Sequence, residues 1–198
     1  MEVTAVQVKA LRDKTGAGMM LCKQALNSSK NEEEAVVWLR QKGIAIGDGK
    51  AGRATTEGCI GSYVHTGGKI GVLVEVRCET DFVARSPEFQ ALTRNLGMQI
   101  AACPSVTHVS LEDIPESVKV KETEIEMGKQ DLASKPEAIR GKIVEGRVAK
   151  RLKEICLVEQ PTIRDSSMTV EQYVKEFSGR VGENIKVANF VRLDLGAS

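Results

Sequence analysis

Apolar residues recur at helical spacing near the start of the chain, and this pattern predicts helices. The first predicted helix covers residues 4–14, with Val3, Val6 and either Ala10 or Leu11 on its apolar side. A Thr-Gly-Ala-Gly segment then breaks the pattern, because these residues favour turns. A second predicted helix covers residues 19–29.

The third predicted helix has the clearest end signals. Asn31 is suited to cap its start, and Glu34 follows three residues later, as in a capping box. Gly43 follows two nearby cations, and we expect it to end the helix. Three short helices can enclose only a small core, which is expected to centre on Val36, Trp38 and Leu39.

Strict alternation of apolar and polar residues replaces the helical pattern further along the chain. Residues 59–65 and 69–78 flank a Thr-Gly-Gly segment, which predicts a β-hairpin. In its second strand Val72, Val74 and Val76 point to the same face. Residues 184–195 also alternate and predict a third strand that pairs with the hairpin.

Further helical segments lie between these strands. They cover residues 86–102, 115–133, 136–155 and 169–179, and the second and third of them form an antiparallel pair. The apolar stripe of the third is expected at Ile139, Ile143, Val148, Leu152 and Ile155.

Together these elements predict an α+β fold, with a small three-stranded antiparallel sheet packed against helices that include a helical hairpin. We expect an N-terminal three-helix unit over residues 1–43 and a Gly-rich linker over residues 44–57. Residues 58–198 are expected to form the α+β core.

Composition limits the classes of function. Aromatic residues make up only 4% of the chain, so its cores must be aliphatic. A net charge of +1 gives no long-range attraction to nucleic acid or anionic membranes. The five cysteines are dispersed, and we expect free thiols in a reducing compartment. The N-terminus shows no signal-peptide pattern, so nothing in it predicts secretion.

The sequence motifs do not favour dinucleotide binding, catalysis or RNA binding. Residues 47–52 spell G-x-G-x-x-G, but a dinucleotide site needs this motif between a strand and a helix, so a linker is favoured. No serine, cysteine or threonine lies in a recognisable nucleophile elbow, and we expect no enzymatic activity. The basic residues of segment 136–155 are expected to form a solvated face or to pair with Glu122, Glu124 and Glu126 rather than to bind RNA.

Two stretches leave alternatives open. Phe82 lies on the short connector 79–85, where its ring either fills the core beneath the sheet or protrudes as a rigid wedge. Met19 and Met20 are adjacent on a predicted helix and cannot face the same core. We expect one to be buried and the other to be exposed, where methionine suits an adaptable contact surface.

Three blocks of the sequence resemble the elongation factor Ts family. They are LRDKTGAGMMLCKQAL, GKIGVLVEVRCETDFVARSPEF and GENIKVANFVRLDLG, and the resemblance extends over residues 3–196. It implies an N-terminal unit of ubiquitin-associated type and guanine-nucleotide exchange on the translational GTPase elongation factor Tu. It implies no cofactor, no metal, no direct nucleic-acid contact and no membrane contact. It also implies a bacterial cytoplasmic protein, with chloroplast stroma or mitochondrial matrix as the alternatives.

The resemblance also implies roles for individual residues. Thr80, Asp81, Phe82 and Val83 match the block that intrudes into the GTPase and dislodges its Mg²⁺ ion. Arg12, Met19 and Met20 match positions of the N-terminal unit that grip the GTPase.

The chain resembles a short form of the family, for which we hypothesise a homodimer through the core. It departs from the common pattern at Leu21, where many members have an acid, and at Arg77 and Ser86, where many have asparagine. The alternative function is a protein-binding adaptor that uses the N-terminal unit and does not alter nucleotide exchange.

Overall fold

The computed structural model describes residues 3–196, with Ala133 described by its backbone only. Helices and an antiparallel sheet of strand order β1-β2-β3 confirm the predicted α+β class. The helices are α1 Ala5–Thr15, α2 Met19–Ser28, α3 Glu32–Asp48, α4 Asp81–Ala84, α5 Pro87–Ala102, α6 Glu116–Met127, α7 Gln130–Ala133, α8 Glu137–Glu154 and α9 Val170–Val181. The strands are β1 Glu57–Val64, β2 Ile70–Cys78 and β3 Lys186–Asp194.

The described residues divide into two compact units, each built from separate chain segments. The first unit contains residues 3–59, 76–91 and 171–187. The second unit contains residues 60–75, 92–170 and 188–196. The predicted division at residues 43 and 58 stays a prediction, and its outermost residues, 1–2 and 197–198, lie outside the described range.

Helices α1, α2 and α3 enclose a small core in the first unit, as predicted. Its buried members are Val8, Leu11, Cys22, Ala25, Ala35 and Leu39. Of the three residues expected at its centre only Leu39 is buried, because Val36 and Trp38 pack against the core from its edge. The prediction that Val6 faces this core is wrong, since that side chain is 78% exposed and Val8 is buried instead. The predicted cap of α3 is confirmed, because the Asn31 Oδ1 atom accepts a hydrogen bond from the Glu34 amide at 2.8 Å.

The predicted end of α3 at Gly43 is wrong, because the helix continues to Asp48. Here glycine serves close packing against α9. A Cβ atom at Gly47 would lie 2.2 Å from the Lys175 carbonyl oxygen, and one at Gly179 would lie 2.1 Å from the Gly43 carbonyl oxygen. The G-x-G-x-x-G segment therefore begins inside a helix, and a dinucleotide motif begins after a strand.

The second unit contains the hairpin turn between β1 and β2, where the prediction is confirmed. Val72 and Val74 of β2 are buried, whereas Leu73 between them is 52% exposed. The far end of β3 and the residue that follows it also present exposed apolar side chains, namely Val191, Leu193 and Leu195. Alternation in this strand therefore marks an open apolar face as well as a buried one.

Helices α6 and α8 pack together as the predicted hairpin, around a core that includes Val144, Val148 and Leu152. Two details differ from the prediction. The first long helix breaks near Gly128, and Ile139 is 44% exposed rather than buried.

The predicted ion-paired face of α8 is confirmed. Arg151 lies 3.9 Å from a Glu122 oxygen and 3.3 Å from a Glu154 oxygen. Arg147 lies 3.7 Å from Glu126 and donates a hydrogen bond to Asp131.

Candidate functional site

The segment after β2 folds into the one-turn helix α4, where the sequence pattern predicted only a connector. Thr80 caps this helix, because its hydroxyl oxygen accepts a hydrogen bond from the Val83 amide at 3.3 Å. Asp81, in the first turn, lies 3.0 Å from Arg85 across an exposed ion pair. We call Thr80, Asp81, Phe82 and Val83 the tip.

The tip separates its two apolar side chains. Phe82 is 81% exposed, whereas Val83 is 7% exposed. The interpretation of Phe82 as a core plug is therefore wrong, since its ring points to solvent. A one-turn helix is not stable on its own in water. The buried Val83 and the residues that flank the turn must therefore keep the Phe82 ring pointing outward.

The chain after the tip enters a firmly capped helix. The Ser86 hydroxyl donates a hydrogen bond to the Val83 carbonyl oxygen at 2.8 Å and accepts one from the Phe89 amide at 3.2 Å. Phe89 is fully buried and packs on Phe177 of α9, with ring centroids 6.3 Å apart. Ser86 and Pro87 therefore begin α5 as the sequence predicted.

The chain before the tip is held by residues that no sequence motif marked. The Glu183 carboxylate accepts hydrogen bonds from the amides of Glu79 and Thr80, each at 3.0 Å. The adjacent Asn184 amide donates to the Glu79 carboxylate at 2.6 Å. The only sequence signal was an acid and an amide immediately before a strand, since their partners lie more than 100 residues away.

Burial also changes the pKa of a thiol close to the tip, that of Cys78. Burial raises the pKa of the Cys78 thiol to about 11, and the nearby negative charge of Glu183 contributes to the same shift. The thiol donates a hydrogen bond to the Thr80 carbonyl oxygen at 3.2 Å. Cys78 therefore stays protonated near neutral pH and acts as a structural group.

The second set of predicted site residues lies around the turn between α1 and α2. Gly16 makes this turn in the left-handed conformation at φ 70°. Arg12 is exposed on α1, and Met19 and Met20 are 44% and 69% exposed on α2. The prediction that one methionine is buried is wrong, because Cys22 and Ala25 fill the core from α2.

These residues belong to the same compact unit as the tip. The sequence profile of the family described as Elongation factor TS matches residues 10–197 of the chain. The chain belongs to the elongation factor Ts family. It is therefore a translation elongation factor.

Relatives in this family extend over nearly the whole chain. An elongation factor Ts of Synechococcus sp. strain RCC307 is 60% identical over 196 residues, which cover 98% of this chain and 90% of the relative. An elongation factor Ts of Prochlorococcus marinus is 60% identical over 195 residues, with the same coverage. In the part of the chain that the structure describes, no helix has the length and apolar character of a membrane span.

The three departures from the family pattern have different surroundings. Leu21 packs against the three-helix core and is half-buried, and Arg77 is exposed on β2. Ser86 caps α5, the role described above. None of the three replaces a residue of the tip.

Proposed function

We propose that this chain accelerates GDP release from elongation factor Tu and that the tip performs the displacement. The observation that supports this role is the exposure of Phe82, 81%, on a helical turn supported on both sides. Aromatic side chains are enriched in protein–protein interfaces, so an exposed ring on a supported turn suits a contact with a partner. In this proposal the ring enters the GTPase near its Mg²⁺ and phosphate groups.

Nucleotide exchange needs no covalent step from this chain, and we propose that it is not an enzyme. An exchange factor binds the nucleotide-free GTPase more tightly than the loaded one, and the nucleotide weakens its binding by the same factor. A coupling of about 10⁴ requires about 5.5 kcal/mol of differential binding. Burial of one phenylalanine supplies roughly 1.5–3 kcal/mol, so Phe82 needs further contacts.

Those further contacts are assigned to Arg12, Met19 and Met20. All three are exposed, and flexible methionines adapt well to a partner surface. We assign anchoring to these residues and displacement to the tip.

The tip residues differ in what they offer a partner. Asp81 carries an exposed carboxylate that can accept hydrogen bonds from the GTPase, but one carboxylate is not a Mg²⁺ site. Thr80 and Val83 shape the turn, and a direct contact of either with the partner stays a prediction.

We also propose that two copies of the chain associate through the open face of the sheet in the second unit. The residues that support this are exposed and apolar. Five of them come from the three strands and the sixth, Leu195, directly follows β3: Ile60, Val64, Leu73, Val191, Leu193 and Leu195. Monomeric proteins rarely leave a large contiguous apolar patch open to water.

Release of fluorescent GDP from elongation factor Tu in a stopped-flow instrument tests the exchange activity. We expect the chain to accelerate release and Phe82→Ala to fold normally but accelerate it poorly. Ile163→Ala is the control, because Ile163 is an exposed apolar side chain of the second unit, at 51%. Full-rate exchange by Phe82→Ala would refute the role of the tip. Binding without any change in GDP release would favour the adaptor function.

A further inference from the structure

One carboxylate holds Glu79 and Thr80, the two residues that link β2 to α4. We call these two residues the corner. A Glu183 oxygen accepts hydrogen bonds from the Glu79 and Thr80 amides, both at 3.0 Å. Its other oxygen accepts one from the Thr80 hydroxyl at 2.5 Å. Both oxygens of Glu183 are thus committed to the two residues that link β2 to α4.

A second set of hydrogen bonds ties this corner to the segment before β1. The Asn184 amide nitrogen donates to the Glu79 carboxylate at 2.6 Å. The Asn184 side chain donates to the carbonyl oxygens of Ala51 and Arg53, at 3.1 and 2.7 Å. The Arg53 guanidinium lies 3.5 Å from the same Glu79 oxygen, so the Glu79 carboxylate also has two partners.

The turn that carries Glu183 is itself anchored. The Ser178 hydroxyl, near the end of α9, donates a hydrogen bond to the Glu183 carbonyl oxygen at 2.5 Å. The neighbouring Phe177 is buried against Phe89. The backbone at Glu183 is therefore held by contacts with α9 that do not depend on the tip.

We propose that Glu183 is a positioning residue for the tip, which it holds in the orientation that presents Phe82 to a GTPase. This inference rests on the proposed function of the tip, because Glu183 acts through Thr80 and does not touch the nucleotide. Hydrogen bonds to a charged acceptor are stronger than neutral ones, and three on one carboxylate strongly restrict the corner. Loss of this restraint lowers the population of the productive tip and leaves the anchoring residues unchanged.

The test compares Glu183→Ala, Glu183→Gln and the control Glu137→Gln in the GDP release assay. Glu137 is an exposed glutamate at the start of α8, in the second unit. We expect Glu183→Ala to lower the maximal release rate about tenfold, with the half-saturating concentration changed less than about threefold. Glu183→Gln should recover part of the rate, because its amide oxygen still accepts hydrogen bonds. The control should match the wild type.

A second readout reports on the corner directly. Amide hydrogen exchange at Glu79 and Thr80 should accelerate about tenfold or more in Glu183→Ala, while amides in the core of α8 keep their protection. A merely stabilising role would instead lower protection throughout the first unit. Unchanged exchange at these two amides, or a change in half-saturating concentration alone, would overturn the inference.

The Phe82→Ala variant separates this inference from the proposed function. If Phe82→Ala is slow and Glu183→Ala exchanges at the wild-type rate, the positioning role fails and the tip function stands. If Phe82→Ala exchanges at the full rate, the tip function itself fails. Should Glu183→Ala not fold, Glu183→Gln decides, because a rate equal to that of the control contradicts the inference.

Discussion

Phe82 and Val83 show how neighbouring residues divide the work of the tip. Val83 is buried and secures the turn, while Phe82 remains open to solvent. The sequence left the direction of the Phe82 ring undecided, because it reveals the strand before the tip and the capped helix after it but not the partners of the corner. Glu183 and Asn184 supply those partners from more than 100 residues away.

Anchoring and displacement should separate when single residues are changed. We expect Arg12→Ala and Met20→Ala each to weaken binding to elongation factor Tu about tenfold, because exposed arginine and methionine side chains lose their contacts. The maximal GDP release rate at saturating concentration should change less than about twofold. A binding titration and the release assay measure the two quantities.

The matched control for these variants is Val37→Ala, on the exposed side of α3 at 52% exposure. Wild-type affinity in Arg12→Ala and Met20→Ala would contradict the anchoring role. A large loss of maximal rate would show that these residues also take part in displacement.

The raised pKa of Cys78 implies that the free energy of unfolding depends on pH. Its pKa is raised from 9.0 to about 11 in the folded chain, so the folded state keeps the proton more tightly than the unfolded state. The resulting stabilisation is complete below pH 9 and is lost as pH rises towards 11. Urea unfolding of the wild type and of Cys78→Ala across this range measures the effect. Cys78→Ala should lose less stability over the range, and parallel curves would contradict the prediction.

The crossing of α3 and α9 illustrates what is missing at the scale of elements. The sequence predicted that α3 ends at Gly43, because glycine is common just after helices. In the structure glycines in both helices let the backbones approach closely, and their partners lie far away in sequence. The cap of α3, the hairpin and the start of α5 were predictable because the residues that determine them are neighbours in the sequence.

Substitutions at this crossing should be strongly destabilising. In Gly47→Ala and Gly179→Ala the new methyl group meets backbone atoms at 2.2 and 2.1 Å, which cannot move aside as a side chain tip can. We expect a loss of about 1–3 kcal/mol or more in the free energy of unfolding. Urea denaturation measures it.

The control for this pair is Gly141→Ala on α8, where nothing lies within 4 Å of the added carbon. Alanine there should stabilise the helix by about 0.5–1 kcal/mol. If all three variants behaved alike, close packing would not explain the glycines of α3 and α9.

At the scale of the whole molecule, the hydrophobic periodicity predicted the fold class. It did not predict which chain segments form each of the two units. The chain contributes discontinuous segments to both units, and no local pattern reveals which segments meet. The alternation of β3 predicted a strand correctly. It did not reveal that Val191, Leu193 and Leu195 face solvent, because alternation marks an apolar face without saying what covers it.

The open sheet face predicts an oligomeric state. We expect the wild type to sediment at micromolar concentration with twice the chain mass of 21.5 kDa, and Leu193→Asp to sediment as a monomer. A charge buried at the centre of an apolar contact has no partner there. Ile139→Asp, an exposed apolar position on α8, is the control. Sedimentation of the wild type as a monomer would contradict the prediction.

The long separation between Thr80 and Glu183 has a consequence for newly made chains. The ribosome must add 103 residues after Thr80 before this carboxylate exists. At ~5–20 residues per second, the corner waits about 5–20 s for its acceptor. During synthesis the nascent chain therefore carries Phe82 on an unsupported turn, and a translation product that stops short of residue 183 should bury its N-terminal core yet lack a working tip.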